Sequence, residues 1–135
     1  MNRDGNGEPF GETTHDSAEI DSFAGFFPYY LRAHSRPGTR ALHYAGTLAA
    51  SACVIVALLG GGAGWLLAAL VVGYGLAWIG HALIERNRPA TFHHPFYSLA
   101  GDFVMTALWL GGRLNRYLRR AGIGSDQSPR AMRKM

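Results

Sequence analysis

The sequence predicts an all-α membrane protein, a hairpin of two transmembrane helices flanked by interfacial amphipathic helices. Three observations lead to this fold class. Residues 44–82 contain no lysine, arginine, aspartate or glutamate, whereas most of the charge lies in residues 1–22 and 113–135. Two apolar runs, residues 41–59 and 65–84, are each long enough as a helix to cross the hydrocarbon core of a bilayer. Arginines flank the outer end of both runs, and a glycine-rich link joins them.

The segment before the first apolar run predicts a short helix at the membrane surface. Asp21 or Ser22 can cap its N-terminus. Aromatic side chains follow at helical spacing and favour the headgroup level, and Pro28 is expected to bend this helix or to begin a new one. A Pro-Gly turn lies within residues 35–40, and Thr39 is the expected N-cap of the first transmembrane helix.

The two apolar runs are expected to pack as antiparallel neighbours, because the link at residues 60–64 is short. Trp65 and Trp78 lie near the two ends of the second run, where they can anchor it at the membrane interfaces. Small residues allow two helices to approach closely; those available are Ala45, Ala49, Ala52, Ala68, Gly73, Gly75 and Ala77. The arginine excess at both outer ends predicts that both termini are cytoplasmic and that the glycine link lies on the other side.

A third apolar stretch follows the second run but is interrupted by Asp102. Its uninterrupted part is about half of what a membrane span needs. If it crossed, the arginines that follow would lie outside, against the positive-inside rule. We therefore expect one amphipathic interfacial helix over residues 97–119. Residues 1–20 and 121–135 are predicted to be disordered tails on either side of one membrane-embedded domain, residues 21–120.

The charge pattern also bears on the class of partner. The net charge of +4 is concentrated in arginines beside the apolar runs, which is typical of a topology signal. No aromatic stacking platform or recognition-helix pattern accompanies it, so we predict a membrane partner and no nucleic acid. The single cysteine, Cys53, excludes an internal disulfide framework and has the position of a small packing residue.

Three histidines are expected to meet at the cytoplasmic end of the hairpin. His43 lies near the start of the first run and His81 near the end of the second, hence at similar depth in an antiparallel pair. His34 lies in the segment that enters the first run. Each histidine alone is explained by contact with lipid headgroups, but their convergence favours a metal site. Three imidazoles with a nearby carboxylate suit a divalent ion, Fe(II) or Zn(II).

The acidic residues near this cluster allow several roles. Glu85 follows His81 by four residues, on the same face of an α-helix. It can ligate the metal, accept the second ring N–H of a ligating histidine, or pair with a neighbouring arginine. His93 and His94 can complete the metal shell or simply be exposed, and exposure is the expected outcome. Asp102 is the best remaining polar candidate, although helix capping or pairing with an arginine explains it as well.

Two histidine-bearing motifs occur in order along the chain. The first comprises Tyr29-Tyr30-Leu31, His34, Pro37, Thr39-Arg40, Leu42-His43 and Gly46-Thr47; the second comprises Gly80-His81, Glu85, Asn87-Arg88-Pro89-Ala90-Thr91-Phe92, Ser98-Leu99, Asp102 and Met105. The pattern covers about residues 23–110. It resembles the 2-hydroxy fatty acid dioxygenase family that was first associated with phytosphingosine breakdown.

The resemblance implies a small membrane enzyme that uses Fe(II) and O2 to convert a 2-hydroxy fatty acid into a fatty acid one carbon shorter. It further implies that His34, His43 and His81 are metal ligands and that Glu85 is catalytic. Unlike the longer eukaryotic members, this chain has no histidine between the two motifs. Two alternative functions are a redox membrane protein that binds haem or another metal, with His43 and His81 as axial haem ligands, and a non-catalytic membrane scaffold.

Overall fold

The computed structural model describes residues 20–124, which contain five α-helices and, within that range, no β-strand. The helices are α1 (Phe23–Ala33), α2 (Pro37–Val56), α3 (Gly64–Ile79), α4 (Pro95–Leu110) and α5 (Leu114–Arg120). The all-helical fold class is confirmed for this part of the chain. The predicted tails fall almost entirely outside the described residues, although Ala121 is still buried in the core.

Helices α2 and α3 form the predicted hairpin, and each is extended by one π-helical turn, Ala57–Gly61 and Gly80–Glu85 respectively. Gly60, inside the first of these turns, and Gly62, just after it, have φ of 98° and 96°, positive values that glycine adopts most readily. With their π-helical turns the helices are 25 and 22 residues long. Both are therefore long and apolar enough to span a bilayer.

Helix α1 begins as the sequence predicts. Ser22 is its N-cap, and the Ser22 hydroxyl accepts a hydrogen bond from the backbone N–H of Gly25 at 3.2 Å. Pro28 lies inside the helix without ending it. The segment is thus one helix rather than two.

Helix α2 begins three residues earlier than predicted. Its N-cap is Arg36 and its first residue is Pro37, which has a suitable fixed φ and lacks the N–H that a first turn leaves without a helical partner. Thr39, the expected N-cap, lies in the first turn and is fully buried. There it contacts α3, since a Cβ added to Gly80 would lie 3.2 Å from the Thr39 methyl group.

Small residues bring α2 and α3 together, although only some of the predicted ones take part. A Cβ added to Gly46 would lie 3.2 Å from the carbonyl oxygen of Gly73, and one added to Gly73 would lie 3.4 Å from the Ala50 Cβ. By contrast, Ala52 is exposed and a Cβ on Gly75 would meet nothing within 4 Å. The rotation of each helix about its axis decides which small residues face the partner, and composition does not reveal that rotation.

Helices α1, α4 and α5 contact one another, and α4 also contacts α2. They cover the end of the hairpin opposite the glycine link. Their shared core is largely aromatic and aliphatic and contains Phe26, Phe27, Tyr30, Leu31, Tyr44, Ala90, Met105, Leu114, Leu118 and Ala121. This layer holds the site described below against the first turns of α2.

The predicted interfacial helix over residues 97–119 is divided in two. Helix α4 ends at Leu110 and α5 begins at Leu114, with Gly112 between them at φ 70°. At 16 residues α4 is shorter than a membrane span requires. Among the described helices, only the two of the hairpin are long and apolar enough to cross.

Gly101 allows α1 and α4 to approach closely. A Cβ added there would lie 2.9 Å from the Tyr30 Cε2 atom. Gly101→Ala is therefore expected to separate the two helices and to lower the free energy of unfolding by about 1–3 kcal/mol, the usual cost of overpacking. Gly75→Ala is the control, because its methyl group enters open space in a helix. Thermal unfolding in detergent measures both, and equal melting temperatures would contradict this packing.

Candidate metal centre

Three buried imidazoles meet where the hairpin contacts α1. His34 follows the last residue of α1, His43 lies on α2, and His81 lies in the π-helical turn that ends α3. Their exposed fractions are 1%, 4% and 2%. One ring nitrogen of each lies within 4.8 Å of those of the other two. The structure thus brings together the three histidines that the sequence proposed as metal ligands.

An oxygen atom holds each of the three rings at its Nδ1 atom. These contacts are His34 to the Tyr30 carbonyl oxygen at 2.7 Å, His43 to Asp102 Oδ1 at 3.0 Å, and His81 to Asn87 Oδ1 at 2.7 Å. Carbonyl and carboxylate oxygens accept hydrogen bonds, so Nδ1 carries the proton in every ring. In a neutral imidazole this leaves the Nε2 lone pair free to bind a metal.

The Nε2 atoms of His34 and His43 are only 3.1 Å apart. With both protons on Nδ1, two lone pairs face each other at that distance, which is repulsive unless a cation lies between them. Burial lowers the pKa of His34 well below its usual value, and the neighbouring His43 adds to this effect. Metal–imidazole bonds of about 2.1 Å place adjacent ligand nitrogens roughly 3.0–3.4 Å apart. The donor set therefore fits a divalent metal ion.

Asp102 and Tyr30 orient this side of the site. The Asp102 Oδ1 atom accepts hydrogen bonds from His43 Nδ1 and from the Tyr30 hydroxyl group. The Tyr30 ring also stacks on His34, with centroids 4.1 Å apart. Burial raises the pKa of Tyr30 well above its usual value, and the negative charge of Asp102 adds to the increase. The phenol thus keeps its proton and donates it, while Asp102 places a negative charge beside the metal ligands.

Asn87 orients His81 through a sharp turn at the end of α3. Arg86 has φ 58° and ψ 43°, and this left-handed residue ends the helix. The Asn87 N–H then donates to the His81 carbonyl oxygen at 3.0 Å. The Asn87 side-chain NH2 donates to the Ala33 carbonyl oxygen, also at 3.0 Å, which leaves its amide oxygen directed at the His81 ring. The turn thus connects α1, α3 and one histidine.

Glu85 lies beside the histidine cluster but outside the group that could hold a metal. Its carboxylate accepts hydrogen bonds from the Ser35 hydroxyl at 3.0 Å and from the Arg36 backbone N–H, where it stabilises the start of α2. These two contacts hold the Glu85 carboxylate at the start of α2, outside the group of side chains that could bind an ion. Its catalytic role stays a prediction from the resemblance.

Glu85→Ala is expected to leave metal binding intact and to lower the free energy of unfolding by about 1 kcal/mol, the usual cost of a lost helix cap. Ser35→Ala is the matched control, because it removes one of the same hydrogen bonds and leaves the carboxylate in place. Iron titration and thermal unfolding report on the two effects separately. An iron affinity that falls 10–100-fold in Glu85→Ala alone would instead assign Glu85 a role in the metal site.

The remaining polar side chains near the site lie outside the histidine cluster in the described part of the chain. His93 is exposed as expected, whereas His94 is half-buried and packs on Phe26 and Tyr97 with ring centroids 5.4 and 6.1 Å away. Arg40, a member of the first motif, donates hydrogen bonds to two backbone carbonyl oxygens, those of residues 34 and 35. None of these side chains belongs to the histidine cluster.

Sequence reasoning missed the roles of Tyr30 and Asn87 and left that of Asp102 open. A lone carboxylate that interrupts an apolar stretch is the signal that could have identified Asp102, since an ionisable group there usually has a partner. The sequence singles out Asn87 only as a member of the second histidine-bearing motif. Tyr30 was interpreted as one aromatic residue of an interfacial helix, and no pattern pointed to its hydroxyl group.

An apolar groove of about 490 Å³ begins at His43 and Asp102 and runs between α2, α3 and α4. Most of its lining residues are apolar, and three of the others carry hydroxyl groups. The lining residues are His43, Thr47, Ala50, Ser51, Val54, Ile55, Ala69, Leu70, Gly73, Tyr74, Leu99, Asp102 and Phe103. The groove thus connects one metal-ligand candidate with the apolar middle of the hairpin.

A family model described as "2-hydroxy-palmitic acid dioxygenase Mpo1-like" matches residues 20–114, more than two thirds of the chain. The matched range contains all three clustered histidines together with Tyr30 and Asp102. No curated protein and no solved structure matches the chain.

Proposed function

The chain belongs to the 2-hydroxy-palmitic acid dioxygenase Mpo1-like family, and from this premise we propose that it is an Fe(II)-dependent dioxygenase that shortens 2-hydroxy fatty acids by one carbon. The observation that carries the proposal is the convergence of His34, His43 and His81, each with its Nδ1 atom held by an oxygen. Zinc has no redox chemistry, whereas iron can take part in an oxidation by O2, which favours iron over zinc.

The overall reaction balances with O2 as its only oxidant. The bond between C1 and C2 of the hydroxy acid breaks, C2 becomes the carboxyl carbon of the shorter acid, and C1 leaves as CO2. The remaining oxygen and two hydrogens form water. The substrate supplies all four electrons that reduce O2, so no further reductant is consumed.

The side chains of the site have separate tasks in this proposal. Iron, when bound, supplies the redox chemistry and a Lewis-acidic centre for the substrate carboxylate and hydroxyl groups. His34, His43 and His81 would hold the ion through their free Nε2 atoms. Asp102 keeps His43 in the tautomer that a metal requires, and Tyr30 holds Asp102. Burial of the three histidines excludes bulk water from the reacting groups.

We also propose that the α2–α3 hairpin is inserted in a membrane. Its apolar side chains face outward, with exposed fractions of 80% for Leu58, 82% for Leu59 and 70% for Leu83. Water-soluble proteins rarely expose apolar surface of this extent. Insertion would place the acyl chain of a lipid substrate beside the hairpin and its polar head at the level of the histidines.

The arginine distribution predicts that both termini are cytoplasmic. A reporter fused after Gly7 and one fused after Gly124 should therefore both report the cytoplasm. The matched control is a reporter inserted in the glycine link at residues 60–64, which should report the opposite side. A fusion after Gly124 that reports the opposite side would show that a third segment crosses and would overturn this topology.

The geometry favours a non-haem metal over the haem alternative. Axial ligands lie on opposite faces of a macrocycle, but the ring centroids of His43 and His81 are 5.1 Å apart and His34 lies against both, at 4.2 and 4.6 Å. A porphyrin has no room between three rings in such contact. Purified protein is accordingly expected to bind iron without a Soret absorption band.

Turnover tests the proposed function. Protein reconstituted anaerobically with Fe(II) is mixed with 2-hydroxypalmitate and air, and the product is identified by mass spectrometry. We expect pentadecanoate from the iron-loaded protein and none from metal-free or zinc-loaded protein. Palmitate, which lacks the 2-hydroxyl group, is the control substrate and should be unchanged. Folded, iron-loaded protein that leaves 2-hydroxypalmitate intact would overturn the proposal.

A further inference from the structure

We infer that the groove between α2, α3 and α4 binds the acyl chain of the substrate, and that residues along α2 set the longest chain that the protein accepts. The inference rests on the proposed function, because that function supplies the hydroxy acid head. It adds to that function a location for the chain and a set of residues that determine specificity.

The groove reaches the metal centre at one ligand candidate, His43; His34 and His81 do not line it. His43 and Asp102 line its polar end, and they are hydrogen-bonded to each other at 3.0 Å. Further along the groove the lining becomes aliphatic, with Val54, Ile55 and Leu70 at the far end. A ligand with one polar head and one long apolar chain matches this gradient.

The charges of the groove fix the orientation of that ligand. Asp102 is the one charged residue among those that line it, and no lysine or arginine is among them. A fatty carboxylate would be repelled there without a compensating cation, so its head must lie at the metal. The hydroxyl group of Thr47, one helical turn from His43, is the nearest groove-lining polar group on α2. Binding of the hydroxy acid should therefore depend on the metal ion.

The length of the groove suits a chain of sixteen carbons. His43 and Ile55 are twelve positions apart on the continuous helix α2, which corresponds to roughly 18 Å. A zigzag of C–C bonds of about 1.5 Å advances by about 1.25 Å per carbon, so this distance accommodates about fourteen carbons. A 2-hydroxy acid of sixteen carbons has that number beyond C2.

Photocrosslinking tests occupancy without requiring turnover. 2-Hydroxypalmitic acid with a diazirine at its far end is irradiated anaerobically with iron-loaded protein in detergent, and adducts are mapped by mass spectrometry. We expect them at the far end of the groove, in residues 54–55 and 69–70, with at least a tenfold decrease when the metal is removed. Adducts spread equally over outward-facing Leu58 and Leu67, or independent of the metal, would overturn the inference.

A matched pair of variants tests the length limit. Ala50 lines the groove seven positions from His43, whereas Ala52 is exposed on the same helix and does not line it. Ala50→Phe should decrease crosslinking and turnover of 2-hydroxypalmitate by at least about tenfold, the scale on which a pocket discriminates chain size. The ten-carbon 2-hydroxy acid should be accepted nearly as well as before. Ala52→Phe should change neither, and equal effects of the two variants would overturn the inference.

Ala50 packs against Gly73 across the two helices, so a larger residue there can also disturb folding. A second variant, Val54→Trp, tests the length limit without this contact. The Val54 side chain is 37% exposed, so a larger residue there need not separate the helices. It should decrease binding of sixteen-carbon acids while sparing those of twelve. If adducts form in the groove but no product is detected, the acyl site is supported and the proposed reaction is refuted. Product formation with unchanged chain-length preference in both variants would refute the acyl site alone.

Discussion

Replacing His34, His43 or His81 by alanine is expected to decrease iron affinity by more than about 100-fold, because loss of a ligand should exceed the 10–100-fold effect of losing a residue that only orients one. Each substitution leaves two imidazoles in the cluster, too few to hold Fe(II) tightly. Iron per chain after desalting, measured by mass spectrometry, reports the loss. His93→Ala is the matched control, because that histidine is exposed and outside the cluster. Full iron occupancy in His43→Ala would contradict a shared site.

The same variants separate metal binding from folding. A ligand that binds only the folded state stabilises it by about 2.7 kcal/mol when present at 100 times its dissociation constant. Addition of Fe(II), or of Zn(II) as a redox-inactive substitute, should therefore raise the melting temperature of the wild-type protein. The three alanine variants should insert in membranes and show no such increase. An equal increase in His43→Ala would place the ion elsewhere.

Asp102→Asn is expected to decrease iron affinity by about 10–100-fold, the effect typical of a residue that orients a ligating histidine. The substitution removes the negative charge that Asp102 places beside the His43 ring, although an amide oxygen can still accept from Nδ1. Competition with a chromogenic chelator measures the affinity. Wild-type affinity in Asp102→Asn would mean that the carboxylate does not act on the metal site.

Tyr30→Phe is the matched comparison for Asp102→Asn. It removes the hydroxyl group that donates to Asp102 and leaves the stacking of the ring on His34 in place. Its effect on iron affinity should be smaller than that of Asp102→Asn, since the contact between His43 and Asp102 is retained. A larger effect would indicate that Tyr30 acts on the site by a route other than Asp102.

The hairpin and the histidine cluster follow from the sequence because both depend on local signals. Apolar runs at residues 41–59 and 65–84 predicted helices that extend over Pro37–Gly61 and Gly64–Glu85. A short link makes such helices antiparallel, and antiparallel helices place His43 and His81 at the same depth. His34 joined them because the chain turns at residues 34–36, between α1 and α2. The Pro-Gly pair that predicted this turn forms the first residues of α2 instead.

The residues that orient the ligands depend on features that a sequence pattern does not encode. Asp102 reaches His43 across 59 positions, through the way α4 crosses the hairpin. Asn87 reaches His81 because Arg86 adopts a left-handed conformation. Such a conformation is usually predicted from a glycine, and this position has none. In each case one backbone detail decides which side chain meets the ring.

X-ray absorption spectroscopy at the iron edge of the reconstituted protein tests most directly that the three histidines jointly hold the ion. We predict one iron per chain with about three imidazole nitrogens at roughly 2.1 Å, the distance usual for metal–imidazole bonds. The addition of 2-hydroxypalmitate without O2 should add oxygen ligands and leave the imidazoles in place. A spectrum with at most one imidazole nitrogen would contradict the shared site and with it the proposed reaction.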